Sequence, residues 1–149
     1  MKTTHFRITG LVCLAIITII FAFSSCNYKT TFMTSVVVPA AQGTVQIKTD
    51  ANKNYVIKIK LSNLAPSTRL SPPRDAYVVW LVSIDKVAKN LGKLNSSTDF
   101  MSKNLNATFE TVTGLKPSKI IITAENDVNI QTSTFSDLIL TTDFINMKD

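Results

Sequence analysis

Side chains able to act as a nucleophile, a general base or a soft metal ligand are scarce in this chain. There is one histidine, His5, and there are two cysteines, Cys13 and Cys26, all within the first 26 residues. Beyond Cys26 the candidates for chemistry are carboxylates, amides, guanidiniums and a single indole. Asp50-x-Asn52-x-Asn54 matches the opening of a calcium loop, in which alternate oxygens point at a cation. Tyr55 stands where the sharp-turn glycine belongs and Leu61 where the bidentate glutamate belongs, so these residues are expected to make a hairpin turn. Glu125, Asn126, Asp127 and Asn129 gather two carboxylates and two amides, an oxygen supply that suits Ca²⁺ but also suits a turn, where such side chains bond their own backbone. Glycoside hydrolysis needs only two acids at a suitable separation. Asp75, Asp85, Asp99, Glu110 and Glu125 supply acids without any spacing signature, so no catalytic residue, metal site or cofactor is assigned.

Recognition is the better use of what remains. Arg69 and Arg74 lie in the segment Leu64 to Asp75, which is punctuated by Pro66, Pro72 and Pro73 and is longer than a connection requires. Their planar guanidiniums suit an anionic partner that accepts bidentate hydrogen bonds; the plainer reading is a surface crossover. Trp80 sits between Val79 and Leu81 and is expected in the core, with its indole N–H on an internal acceptor. Exposed, it would anchor a partner, and it joins Arg69 and Arg74 as a candidate partner-binding residue.

The N-terminus begins with Lys2, His5 and Arg7, followed by an uncharged apolar run from Leu11 to Phe23. As a helix that run would reach roughly 20 Å, short of the roughly 30 Å hydrocarbon core of a bilayer. A cleaved signal peptide over residues 1–25 is therefore expected rather than a transmembrane helix. The run ends in Phe23-Ser24-Ser25-Cys26, which resembles the lipobox of bacterial lipoproteins in a relaxed form, with Phe23 where leucine is usual. That resemblance implies that Cys26 receives a diacylglycerol and becomes the new N-terminus, anchored to a lipid bilayer outside the cytoplasm. Cleavage would remove His5 and Cys13, and with them any His-based triad or His/Cys zinc site. Removing Lys2 and Arg7 lowers the formal net charge from +6 to +4. The remaining lysines are dispersed, nucleic acid is not expected as a partner, and a mild basic balance suits anionic surfaces. Residues 26–34 are read as a tether and 35–149 as the folded domain. No acidic run follows Cys26, which points to a periplasm-facing position on the outer membrane.

The positioning elements are short β-type runs between turn residues, with no sustained helical period. Ser35 to Val38 is a β-branched run closed by Pro39, and Val45 and Ile47 alternate with Gln46 and Lys48. Tyr55, Ile57, Ile59 and Leu61 oppose Val56, Lys58, Lys60 and Ser62, the period-two pattern of a half-buried antiparallel strand. Ala76 to Ser83 is apolar on both faces and is expected as a central strand covered on both sides. Asp85-Lys86 turns the chain toward Val87 to Leu94, and Asn95 to Asn104 is read as a loop. Alternation resumes at Leu105 to Thr111, Lys119 to Glu125 is strongly β-branched, and Leu138 to Thr142 is the last strand. The expected fold is all-β, an antiparallel two-sheet Ig-like β-sandwich of seven or eight strands.

The segments Tyr77-Val78-Val79-Trp80-Leu81, Asn90-Leu91-Gly92-Lys93-Leu94, Phe109-Glu110-Thr111-Val112 and Ile122-Thr123-Ala124-Glu125 follow one another in an order that resembles the extracytoplasmic domain of anti-sigma-K-type factors. The resemblance spans roughly Ala41 to Phe144 and implies a β-sandwich without catalytic activity. It does not carry over the regulatory role, because a lipid-anchored chain does not reach a cytoplasmic sigma factor. The expected function is that of a non-enzymatic, lipid-anchored envelope protein that binds or assembles with a protein partner. The alternatives are a carbohydrate-binding or degrading surface component, and self-association by edge pairing through Ser35 to Val38 and Leu138 to Thr142.

Overall fold

The computed structural model describes residues 27–97, 105–132 and 135–147. Its strands are β1 (Asn27–Thr31), β2 (Gln42–Thr49), β3 (Tyr55–Ser62), β4 (Ala76–Ser83), β5 (Ala88–Lys93), β6 (Asn95–Ser97), β7 (Asn106–Thr113), β8 (Pro117–Glu125) and β9 (Leu138–Thr141). They form two antiparallel sheets, one in the order β1-β2-β3-β7-β6 and one in the order β5-β4-β8-β9. Among the described residues there is no α-helix, and a short 3-10 turn spans Ser67–Arg69.

The period-two pattern decides what the sheets bury. Val45 and Ile47 of β2, Ile57, Ile59 and Leu61 of β3 and Ala107 of β7 face inward from the first sheet. Tyr77, Val79 and Leu81 of β4, Ile120, Ile122 and Ala124 of β8 and Leu140 of β9 meet them from the second. The alternate residues of β3 point outward, where Lys58 pairs with Glu110 of β7 at 2.9 Å. Being largely exposed, that pair contributes little to stability.

β4 is the exception to one-sided burial, as its apolar sequence on both faces requires. On its outer side Val78 and Trp80 are fully enclosed beside Ile121 of β8, under Val82, Ile130 and Phe135. The cover is the β8–β9 connection, which crosses the outer face of the second sheet. The Asn90 side-chain amide on β5 pins it there by donating to the carbonyls of Val128 at 2.9 Å and Ile130 at 2.8 Å. The Phe135 ring meets Trp80 edge-on with centroids 5.9 Å apart. The indole N–H donates to Thr123 Oγ1 at 2.9 Å, the internal acceptor a buried tryptophan needs.

Three sequence expectations are corrected. Residues 26–34 are not a free tether, because Asn27–Thr31 forms β1, in register with β2 from Asn27 opposite Lys48 to Thr31 opposite Thr44. As an edge strand it needs few apolar residues, and Tyr28 and the following Phe32 are those that pack on the core. Ser35 to Val38, in turn, is not a strand. Ser35 Oγ accepts the Val38 N–H at 2.9 Å and the Val38 carbonyl accepts the Ala41 N–H at 2.9 Å. A serine that bonds its own backbone overrides the β preference of the valines beside it. Part of the expected loop 95–104 is also strand, as β6 pairs Asn95–Ser97 with β7.

The register gives the sandwich two distinct ends. Asn27, Lys48, Tyr55 and Thr113 stand at one, joined to the second sheet by the short connection 114–116. The longer connections 32–41, 63–75 and 126–137 stand at the other. We refer to these as the near and far ends.

Trp80→Ala is expected to lower unfolding free energy by about 3–5 kcal/mol, the cost of emptying a well-packed aromatic site. Thr123→Val, which keeps the volume and orphans the indole N–H, is expected to cost about 1–3 kcal/mol. Urea denaturation of both variants measures the two effects separately.

Candidate functional site

The far end is built from turns that use up most of their own polar groups. Tyr77 O–H donates to the Ala65 carbonyl at 2.7 Å and so fixes the start of the proline-rich connection on β4. Burial pushes the Tyr77 phenol up from 10.0 to about 12. The Arg69 N–H reaches the Pro66 carbonyl at 2.9 Å, and the Arg74 N–H returns to the Ser67 carbonyl at 3.0 Å, closing the loop on itself. The Asp75 N–H then donates to the Glu125 carbonyl at 3.1 Å, which extends the β4–β8 ladder.

Of the three candidate binding residues, one remains available. Arg69 is exposed on the 3-10 turn. Arg74 is directed at Asp137, with 2.8 Å between its Nη2 and the carboxylate, so its guanidinium ties connection 63–75 to connection 126–137. Trp80 is fully buried and takes no part in any surface, which corrects its inclusion among partner-binding residues. Cys26, His5, Cys13 and Asp99 lie outside the described residues.

A groove of about 550 Å³ opens beside these loops, where the end of β1 and the start of β2 meet the end of β3. Phe32, Ala41, Gly43 and Leu61 form its apolar part, with Lys60 and Ser62 among the polar residues. Gly43 is required there by space. A Cβ at this position would overlap the Leu61 side chain and stand 2.8 Å from the Lys60 carbonyl oxygen and 3.1 Å from the Phe32 ring. Next to the groove the connection 32–41 exposes Met33, Val36 and Val37, with Val36 at 95% of its full accessibility. Sequence reasoning missed the groove because it exists only where β1 pairs with β2.

The acidic candidates are occupied by turn chemistry. Asp50 Oδ1 accepts the N–H groups of Asn54 and Asn52, both at 2.8 Å, and the Asn54 side chain adds a bond at 3.3 Å. The Asn54 N–H, helped by these neighbours, holds the Asp50 carboxyl below its ordinary value. Asp50 to Asn54 is thus the hairpin turn between β2 and β3. Asp127 Oδ1 accepts the Asn129 N–H at 2.9 Å, and Glu125 Oε1 accepts the Thr123 hydroxyl at 2.7 Å. Asp75 and Glu125 come to adjacent positions at the far end, whereas Asp85 lies at the near end and Glu110 pairs with Lys58. Among the described residues no three His, Cys, Asp or Glu side chains gather as a metal site.

No protein-family model, curated protein or solved structure matches this chain.

Two measurements check the far-end geometry. Since its folded pKa is raised, Tyr77 stabilises the fold fully below pH 10 and that contribution is lost as pH rises through about 12. Stability of the wild type should therefore fall over this window more steeply than that of Tyr77→Phe, as read by urea midpoints against pH. A double-mutant cycle on Arg74→Ala and Asp137→Ala should return a coupling of about 0.5 kcal/mol, the scale of a partly exposed ion pair.

Proposed function

We propose that this protein is a non-enzymatic, lipid-anchored module of the bacterial cell envelope that binds or assembles with another envelope protein through the far end of its sandwich. The observation that carries this reading is the polarity of the chain. β1 begins one residue after Cys26 at the near end, while the long connections, the exposed Met33, Val36 and Val37 and the groove lie at the far end. An apolar tip beside a groove suits a protein partner, because a soluble domain gains nothing from exposing consecutive valines to water. The charged n-region, the short apolar run and Ser24-Ser25-Cys26 support cleavage and acylation at Cys26, with the outer membrane's periplasmic face as the location. The lack of any histidine or cysteine after Cys26 supports a role without catalysis.

The strand order supports an Ig-like sandwich, the architecture that the resemblance to the outer domain of anti-sigma-K-type factors implies. With β2 to β9 taken as A, B, C, C′, D, E, F and G, the sheets read A-B-E-D and C′-C-F-G, with β1 added outside A. One feature departs from antibody domains, where the strand-C tryptophan faces the core between the sheets. Trp80 faces outward beneath the β8–β9 connection. Its burial also favours the protein-binding reading over a carbohydrate-binding or degrading one, since it removes the chain's only tryptophan as a sugar platform.

Crosslinking and pull-down from intact envelopes test the proposal. The native protein is expected to start at an acylated Cys26 by mass spectrometry and to capture a protein partner. Cys26→Ala should abolish envelope capture, and a Lys60→Glu, Arg69→Ala variant should weaken it at least several-fold. An uncleaved, unmodified N-terminus on the mature protein would overturn the reading.

A further inference from the structure

The near end carries a pattern of its own. Two of its turns, β2–β3 and β4–β5, share one geometry. In the first, the Lys53 N–H donates to the Asp50 carbonyl at 3.1 Å and the Asp50 N–H to the Asn54 carbonyl at 2.9 Å. In the second, the Lys86 N–H donates to the Ser83 carbonyl at 3.0 Å and the Ser83 N–H to the Val87 carbonyl at 2.9 Å. Each turn needs one residue in the left-handed region, and in both that residue is lysine, Lys53 at φ 63° and Lys86 at φ 62°. Glycine or asparagine would adopt this conformation at lower cost. Turn formation alone therefore does not account for lysine at both places.

The two turns are also contiguous. Gly114, in the β7–β8 connection, lies against the Asn54 side chain, and the Ile84 N–H donates to the Lys116 carbonyl at 3.2 Å in the same connection. Lys48 ends the rim, directly opposite Asn27. The rim thus sets Lys48, Lys53, Lys86, Lys116 and Lys119 against Asp50, Asp85 and Asp143, an excess of basic groups. At the far end the acids Asp75, Glu125, Asp127 and Asp137 balance Arg69, Arg74, Lys60 and Lys93. Ile84 and Val87 stand exposed on the near rim, 57% and 55% accessible, between its lysines.

We infer that the near end is a membrane-contacting surface. Lys48, Lys53 and Lys86 lie on anionic lipid headgroups, and Ile84 and Val87 enter the interfacial layer. The inference rests on the reading of Cys26 as the acylated residue. One residue spans about 3.8 Å, so an acyl chain on Cys26 holds Asn27, and Lys48 opposite it, at headgroup level. Basic side chains at that depth are attracted by anionic lipid, and short apolar side chains among them add burial in the interface.

The test uses the full chain, processed and acylated in a bacterial host and reconstituted on vesicles. One set is phosphatidylcholine alone, and the other is equal parts of phosphatidylcholine and phosphatidylglycerol. Amine-labelling rates of individual lysines are read by peptide mass. On the mixed vesicles Lys48, Lys53 and Lys86 are expected to label about fivefold more slowly than on phosphatidylcholine, the effect of a lysine held at such a surface, while Lys60 stays unchanged. A Lys53→Gly, Lys86→Gly variant should be at least as stable as the wild type to urea, and its Lys48 should recover most of its labelling. Acylated protein whose near-end lysines label equally on both vesicle types would overturn this inference and leave the anchor intact. An unacylated N-terminus would overturn both.

Discussion

The architecture depends on burying β4 from both sides. An edge or half-buried strand alternates apolar and polar residues, but Tyr77 to Leu81 has no polar side and one sheet packed against it satisfies only half of it. The first sheet covers Tyr77, Val79 and Leu81, and the β8–β9 connection must cover Val78 and Trp80. That requirement sets the route of the connection across the sheet, the role of Asn90 as its pin, and the position of Asp137 beside Arg74. The far-end loops therefore take their arrangement from the core.

The sequence was informative where one periodic constraint acted alone. The alternation in β3 and the double-sided run in β4 each announce their burial, and the Asp50 to Asn54 turn is visible as a cluster of backbone-bonding side chains. Reading failed where local and non-local terms compete. Ser35 to Val38 has a strand composition, but a single serine hydroxyl bonded to the Val38 N–H makes a turn cheaper than a ladder. Asn27 to Thr31 has the composition of a linker and becomes a strand because β2 offers it a complete edge, a long-range opportunity that no window of residues contains. The candidate site follows the same division. The exposure of Arg69 could be anticipated from its loop, whereas the pairing of Arg74 with Asp137, 63 positions away, and the groove at Gly43 arise only from tertiary pairing.

β1 also settles how the sandwich protects its edges. Beyond Thr31 the chain leaves the first sheet and bridges to the second, with Phe32 opposite Thr142 and the Met33 N–H donating to the Thr141 carbonyl at 2.8 Å. This crossing covers the lower part of β9, the strand whose free edge most invited pairing with a second copy. The turn at Ser35 to Val38 removes that segment as an edge strand, whereas β9 is the outer strand of the second sheet, as expected of an edge, and the crossing caps it only at Thr141 and Thr142.

The same strand gives the proposed anchor its mechanical meaning. A long flexible tether would let the domain sample every orientation, so that any face could meet a partner and no face would be privileged. With β1 paired to β2 from Asn27 onward, acylation of Cys26 as proposed would leave about one residue of slack between lipid and fold, and the register of β1 on β2 would then set which end faces the bilayer. Orientation is then a property of the sheet rather than of a linker. Under the proposed anchoring, the left-handed Lys53 and Lys86 would meet headgroups, and the exposed Met33, Val36 and Val37 would stand away from them. Left-handed residues and exposed apolar side chains occur at both poles, Lys53 and Lys86 beside Ile84 and Val87 at the near end, and Asn63 and Phe135 with Met33, Val36 and Val37 at the far end.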